Sequence, residues 1–167
     1  MTSFSLRAET PDDVHGIHAL IADAFANVSH SDQREPLVVD SLREADALSL
    51  SLLAELNGQR VGHIAFSPVQ LSDGASHWFG LGPVSVAPEW QGQGVGSQLV
   101  LAGLDALKKQ GAHGCVVLGD PAWYVRFGFV ATPLVRMAGV PPEYFQALLL
   151  NGTWPDAEVH YHPAFQV

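Results

Sequence analysis

Residues 81–98, LGPVSVAPEWQGQGVGSQ, constrain the fold more tightly than any other stretch of the chain. An apolar run ending in Val84-Ser85-Val86 meets a turn at Pro88, then Gln91-Gly92-Gln93-Gly94-Val95-Gly96-Ser97, and a helical pattern starts at once. That order is strand, glycine turn, helix start. The first N–H groups of a helix have no intrahelical partner and together carry about half a positive charge, while glycines without Cβ let a ligand come close to them. The stretch therefore predicts a cradle for a pyrophosphate.

Other phosphate motifs compete for the same letters. A P-loop needs Gly-Lys-Ser/Thr, which does not follow. A dinucleotide fingerprint is harder to dismiss, because Gly92-x-Gly94-x-x-Ser97 misses only its last small residue and Asp120 ends the next apparent strand, where a ribose-binding acid could sit. With 16 glycines in 167 residues, a glycine turn that binds nothing is a third reading. The neighbouring strands separate them. Leu48–Leu56 is strand-like, Asn57-Gly58 is a strong hairpin signal, and Gln59–Phe66 alternates before Pro68. After the Asp73-Gly74 turn, Trp78–Val86 feeds the cradle. Three sequential strands of this kind form an antiparallel meander, whereas a nicotinamide-binding Rossmann half alternates strand and helix from its start.

The flanks complete an α/β pattern. Phe4 to Ala8 alternates as a short strand, Thr10-Pro11-Asp12-Asp13 opens a helix, and Val14, Ile17, His18, Ile21 and Phe25 give it a buried face. His15 and His18 share that helix but have no third ligand, so no metal is expected. A second helical pattern passes through Leu37, Val38 and Leu42; Glu35 and His30 nearby could face a substrate, although solvated surface is the plainer reading. The best helix runs from Gly94 to Gln110, with Val100, Gly103, Leu104 and Leu107 on one face and Lys108 and Lys109 in the last turn. Cys115–Leu118 then reads as a short strand parallel to the cradle strand, with Cys115 as a packed thiol. A short helix follows over Ala122–Phe127, with further strands at Phe145–Leu150 and Val159–Tyr161.

Charge and length narrow the partners. A net charge of −9 with only eight Lys plus Arg cannot supply a stripe that tracks a polyanion, which argues against nucleic acid. No apolar run long enough to span a membrane occurs, and the N-terminus lacks the apolar region of a secretory signal. These features predict a single domain over residues 1–167, cytoplasmic, with no membrane or nucleic-acid partner. The sequence carries no signal for oligomeric state, and a homodimer stays open.

Taken together, Val84-Ser85-Val86-x-Pro88, Gln91-x-x-Gly94-x-Gly96, a helix, a strand and Tyr124-x-x-Phe127-Gly128-Phe129 resemble the GCN5-related N-acetyltransferases, the GNAT superfamily. Val61-Gly62-His63-Ile64-x-Phe66-Ser67-Pro68-Val69, Leu118-Gly119-Asp120-Pro121 and Val140-Pro141-Pro142 are similar to the YhbS-type members in particular. The resemblance implies a mixed, mostly antiparallel sheet with splayed central strands and flanking helices, and acetyl-CoA entering between those strands as cosubstrate. It implies that Gln91, Gly92, Gln93, Gly94, Val95, Gly96 and Ser97 hold the CoA pyrophosphate and that backbone groups of Val84, Ser85 and Val86 meet the pantetheine arm. Side-chain identity would matter little at those three strand positions. Tyr124 would be the general acid for the departing thiolate. One departure stands out: the wider family often has Asn after the Leu118 strand, where this chain has Gly119-Asp120. The reaction implied is direct attack of a primary amine, from a small molecule or a peptide, on the thioester. A base must first free the amine of its proton, and Glu35, His63, His77 and Glu89 are the candidates. The alternative function is a catalytically silent CoA-binding sensor or interaction module.

Overall fold

The computed structural model describes residues 4–166. The chain runs through β1 (Ser5–Ala8), a 3-10 turn, α1 (Val14–Phe25), α2 (Glu35–Glu44), β2 (Leu50–Leu56), β3 (Gln59–Pro68), β4 (Gln70–Leu71) and β5 (Trp78–Val86). It continues through α3 (Val95–Lys109), β6 (Gly114–Leu118), α4 (Pro121–Tyr124), β7 (Val135–Arg136), β8 (Phe145–Leu149) and β9 (Ala157–His160). Six strands form one sheet in the order β1-β2-β3-β5-β6-β8, and β4-β9-β7 form a second. Within the larger sheet only β5 and β6 run parallel; β2, β3 and β5 are the antiparallel meander expected from the turn signals.

Helices cover both faces of that sheet. Val95, Leu99, Val100, Leu104 and Leu107 of α3 pack on Ile64 and Phe66, while Ile17, Leu20 and Ile21 of α1 and Val39 of α2 pack on Leu53 and Ala65. Successive residues of β3 thus serve opposite cores, as a period of two requires. Gly103 lets α3 settle on the sheet, since a Cβ there would lie 2.3 Å from the ring of Phe66. Pro68 closes β3, and the next residues leave the sheet: Gln70 and Leu71 pair with His160 and Val159 of β9.

A buried carboxylate ties the N-terminal strand to the first helix. Asp13 is 1% exposed and accepts from Arg7 Nη1 and Nη2 (2.7 and 2.8 Å), from the Thr10 N–H (2.7 Å) and from Arg60 Nε (3.0 Å). The Arg7 hydrogen bonds hold its pKa far below the ordinary carboxylate range, against the opposing effect of burial. Its stabilisation is complete above the unfolded value of about 3.9 and is lost as pH falls below it. Asp13→Asn is expected to cost about 3 kcal/mol near neutral pH, measured by urea unfolding. The gap to the wild type should shrink as the solution is taken below about pH 4.

Candidate functional site

Pairing between β5 and β6 runs only from Trp78–Gly114 to Leu81–Val117. Past Leu81 the two strands part. The register of β5 against β3 slips there as well, since Phe66 faces Leu81 but Ile64 faces Val84, which leaves one extra residue in β5 at Gly82-Pro83. A bulge bends its strand, and Pro83 has no N–H to offer a neighbour. Val84–Val86 stay paired to β3, so their other edge faces the gap. A groove of about 250 Å³ lies along it, bordered by Val84, Ser85 and Val86, by Phe25 and Val28 at the end of α1, and by Gln91, Gly96 and Trp123.

The glycine loop sits at the mouth of this groove. Gly92 and Gly94 have φ of 76° and 89°, the left-handed region, and a Cβ at either would meet nothing within 4 Å. Gly94 caps α3, whose first backbone bond is Gln98 N–H to the Gly94 carbonyl at 3.1 Å. Among the described residues, no protein group accepts from the N–H groups of 92–97. The glutamines hold the loop in shape: Gln91 Nε2 donates to the Val86 carbonyl (3.0 Å) and Gln93 Nε2 to that of Glu89 (3.5 Å). The result is a concave set of free amides at a positive helix end, which fits a diphosphate.

Tyr124 stands at the end of α4, whose N-cap Asp120 accepts from the Ala122 N–H at 2.9 Å. Its ring is buried edge-on against Trp123, with centroids 4.8 Å apart, and against Phe129 at 5.8 Å. Burial pushes its hydroxyl up to about 12, so it keeps its proton at any ordinary pH. Gly119 makes room for that ring, because a Cβ there would lie 2.6 Å from it. An Asn at position 119 would meet that ring. Cys115 is fully buried, and burial pushes its thiol well above the ordinary range.

A larger cleft, about 650 Å³, opens where the strands part. Its floor is Leu81, Gly82, Pro83 and Leu118; His30, Asp32, Glu35 and Val38 form one wall, and Glu158, His160, Tyr161, His162 and Phe165 form the other. The Tyr161 ring lies over Gly80, where a Cβ would come within 2.5 Å. Of the four candidate bases only Glu35 borders this cleft, held by the Ser31 hydroxyl at 2.7 Å. His63 is buried in the sheet, His77 meets His113 edge-on just before β5, and Glu89 borders a separate cavity with Asn57 and Arg60. Sequence reasoning missed Trp123 in the groove and the whole C-terminal wall. His160 and His162 look isolated along the chain and come to line the same cleft as His30 through the fold around β9. Among the described residues, no three His, Cys, Asp or Glu side chains gather as metal ligands, and no helix is long and apolar enough to cross a membrane.

This architecture and its sequence define a known class: the chain belongs to the acetyltransferase (GNAT) family, whose model matches residues 14–129. Among its relatives is the uncharacterized N-acetyltransferase YhbS of Escherichia coli K12, 44% identical over 125 residues, 74% of this chain and 72% of YhbS. The uncharacterized N-acetyltransferase YjhQ of the same strain is 32% identical over 145 residues, 84% of this chain and 76% of YjhQ. Solved structures agree. A GNAT family acetyltransferase from Brucella melitensis, in complex with acetyl-CoA, superposes with a TM-score of 0.88 at 45% identity, covering 99% of both chains. E. coli YhbS in complex with CoA gives a TM-score of 0.90 at 35% identity over 100% of this chain and 94% of that one. The fold is the GNAT fold.

Proposed function

We propose that this chain, as a single catalytic domain, is an N-acetyltransferase that moves an acetyl group from acetyl-CoA to a primary amine by direct attack. The observation that carries the reading is the pairing of a free-amide loop at the start of α3 with an unpaired edge of β5. The amides of Gly92–Ser97 would hold the diphosphate, and the open backbone edge at Val84–Val86 would hold the pantetheine arm. Bound there, acetyl-CoA supplies an activated acyl group as a thioester. Tyr124, un-ionised and with no hydrogen-bond partner for its hydroxyl among the described residues, is suited to give a proton to the departing sulfur. Complexes of two relatives with acetyl-CoA and CoA support the choice of cosubstrate.

The amine would enter through the larger cleft. Its walls carry Asp32, Glu35 and Glu158 against one cation, Arg34, which lies 3.9 Å from Asp32; the remaining negative balance over an apolar floor favours a cationic acceptor with an apolar portion. Glu35, the one of the four candidate bases that borders the cleft, would receive the amine's proton. The test is CoA release from acetyl-CoA with a panel of spermidine, tyramine, glucosamine, free lysine and a peptide with a free N-terminus. Turnover with at least one amine is expected. Tight acetyl-CoA binding with no acetylation of any amine would favour a CoA-binding sensor.

A further inference from the structure

The hydroxyls of Ser67 and Ser85 and Nδ1 of His63 are buried with no hydrogen-bond partner among the described residues. An unpaired buried polar atom costs about 1–3 kcal/mol, so each needs a reason to be there. Two of them are neighbours. His63 of β3 stands directly opposite Ser85 of β5, so the two side chains share one face of the sheet with Cβ atoms about 5 Å apart. They are 0% and 2% exposed, and Ser85 borders the groove.

The other nitrogen of His63 is already committed. Nε2 lies 2.8 Å from Ser51 Oγ, and that hydroxyl donates to Glu9 Oε1. Arg43 grips the same carboxylate, with Nε 2.8 Å from Oε2 and Nη2 2.9 Å from Oε1. Burial pushes the Glu9 carboxyl up, but the hydrogen bonds of Arg43 and Ser51 outweigh it and leave it below its ordinary value. At neutral pH it is an anion that only accepts. Ser51 has one proton and gives it to Glu9, so it must accept from His63, which places the ring proton on Nε2. Burial holds the imidazole pKa down at about 4, with Arg43 acting in the same direction and Glu9 against it. The ring is therefore neutral, and Nδ1 is a bare lone pair. The groups around it are Glu9 from the segment after β1, Arg43 from α2, Ser51 from β2 and Ser85 from β5, with Asp40 and His18 beyond Arg43.

We propose that Ser85 completes this chain by donating its hydroxyl proton to His63 Nδ1, which leaves the Ser85 oxygen as an acceptor for an N–H group of a ligand lying along β5. A turn of Ser85 about χ1 brings the two atoms together. Every proton in the run Ser85, His63, Ser51 then points toward Glu9, and only a donor can be added at the groove end. Two donors have that chemistry: an amide of the cosubstrate's pantetheine arm and the attacking amine itself. The identity of the ligand rests on the acetyltransferase reading; the direction of the chain does not.

Nitrogen NMR of the histidine rings in the full-length protein tests the chain with no ligand present. The Nε2–H tautomer is expected for His63 near neutral pH. Glu9→Gln should switch it to the other tautomer, because the new amide can donate to Ser51 and reverse the run. A wild-type His63 protonated on Nδ1 overturns the proposal. Calorimetric titration with acetyl-CoA then reads the groove end. If a cosubstrate amide is the donor, Ser85→Ala weakens acetyl-CoA binding roughly two- to tenfold, the worth of one hydrogen bond. If the amine is the donor, acetyl-CoA binding stays unchanged, and kcat/KM for the fastest amine of the panel falls by that factor. Ser85→Thr, which keeps the hydroxyl, should restore either loss, and Glu9→Gln should reproduce it without touching the groove. A folded Ser85→Ala protein unchanged in both quantities overturns the proposal. A wild type that fails to bind acetyl-CoA instead counts against the acetyltransferase reading, and the tautomer result still decides the chain.

Discussion

Gly94→Val is expected to raise the dissociation constant for acetyl-CoA on the order of a hundredfold or more while the chain stays folded. The fold cost is modest: a left-handed φ of 89° is unfavourable for a side chain by about 1–2 kcal/mol, and a Cβ there would meet nothing within 4 Å. Binding loses more. The space a valine would fill at Gly94 is the approach to the free amides, and two charge-assisted hydrogen bonds at about 1.5–3 kcal/mol each amount to a factor of a hundred or more. Gly96→Val should match it for a different reason. A Cβ at 96 would already touch Trp123 at 3.5 Å and Val86 at 3.7 Å, so the branched methyls must enter the groove or displace the indole. Calorimetric titration with acetyl-CoA, beside circular dichroism to certify folding, checks both. Tight binding by both folded variants would dismiss the phosphate cradle.

Tyr124→Phe separates chemistry from binding. Removing one hydroxyl leaves the aromatic packing on Trp123, Phe127 and Phe129 in place, so fold and acetyl-CoA affinity should hold. The expected loss is roughly ten- to a thousandfold in kcat with the fastest amine of the panel, as for one general acid. Because burial pushes the Tyr124 hydroxyl up to about 12, the wild type should show no loss of rate from its ionisation in ordinary alkaline buffers. Unchanged kcat in the phenylalanine variant would remove Tyr124 from the mechanism.

Much of this arrangement was legible along the chain, because its signals are local. The helix opened by Thr10-Pro11, the hairpin at Asn57-Gly58 and the stop of α3 after Lys109 each follow from a few adjacent residues. So does the glycine loop, whose backbone demands a residue without Cβ. The parting of β5 from β6 was reached only through resemblance, since nothing local to Gly82-Pro83 says which neighbour the strand will leave. Long-range pairing hid the rest. Pro68 marks the end of the β3 strand in the sequence, but nothing adjacent to Gln70 and Leu71 says that they join the other sheet through β9. That pairing carries Tyr161, His160 and His162 to the larger cleft, so one wall of it could not be read from spacing. His63 was visible as a titratable residue on a strand, but its role depends on Ser51, Glu9 and Arg43, from three separate elements.

The second sheet also separates two tasks that share one opening. On the acetyltransferase reading, the grip on a diphosphate would come from the first turn of α3 and the bent half of β5, both anchored in the six-stranded sheet. The far wall of the cleft hangs from β9, which is hydrogen-bonded to β4 and β7 and to no strand of that sheet. Glu158 and His160, which are not buried, can therefore change in charge without touching the amide loop, whereas Tyr161 is held against Gly80 of β5. If the chain is the acetyltransferase proposed, selectivity for the acceptor can drift across its descendants while the donor stays the same.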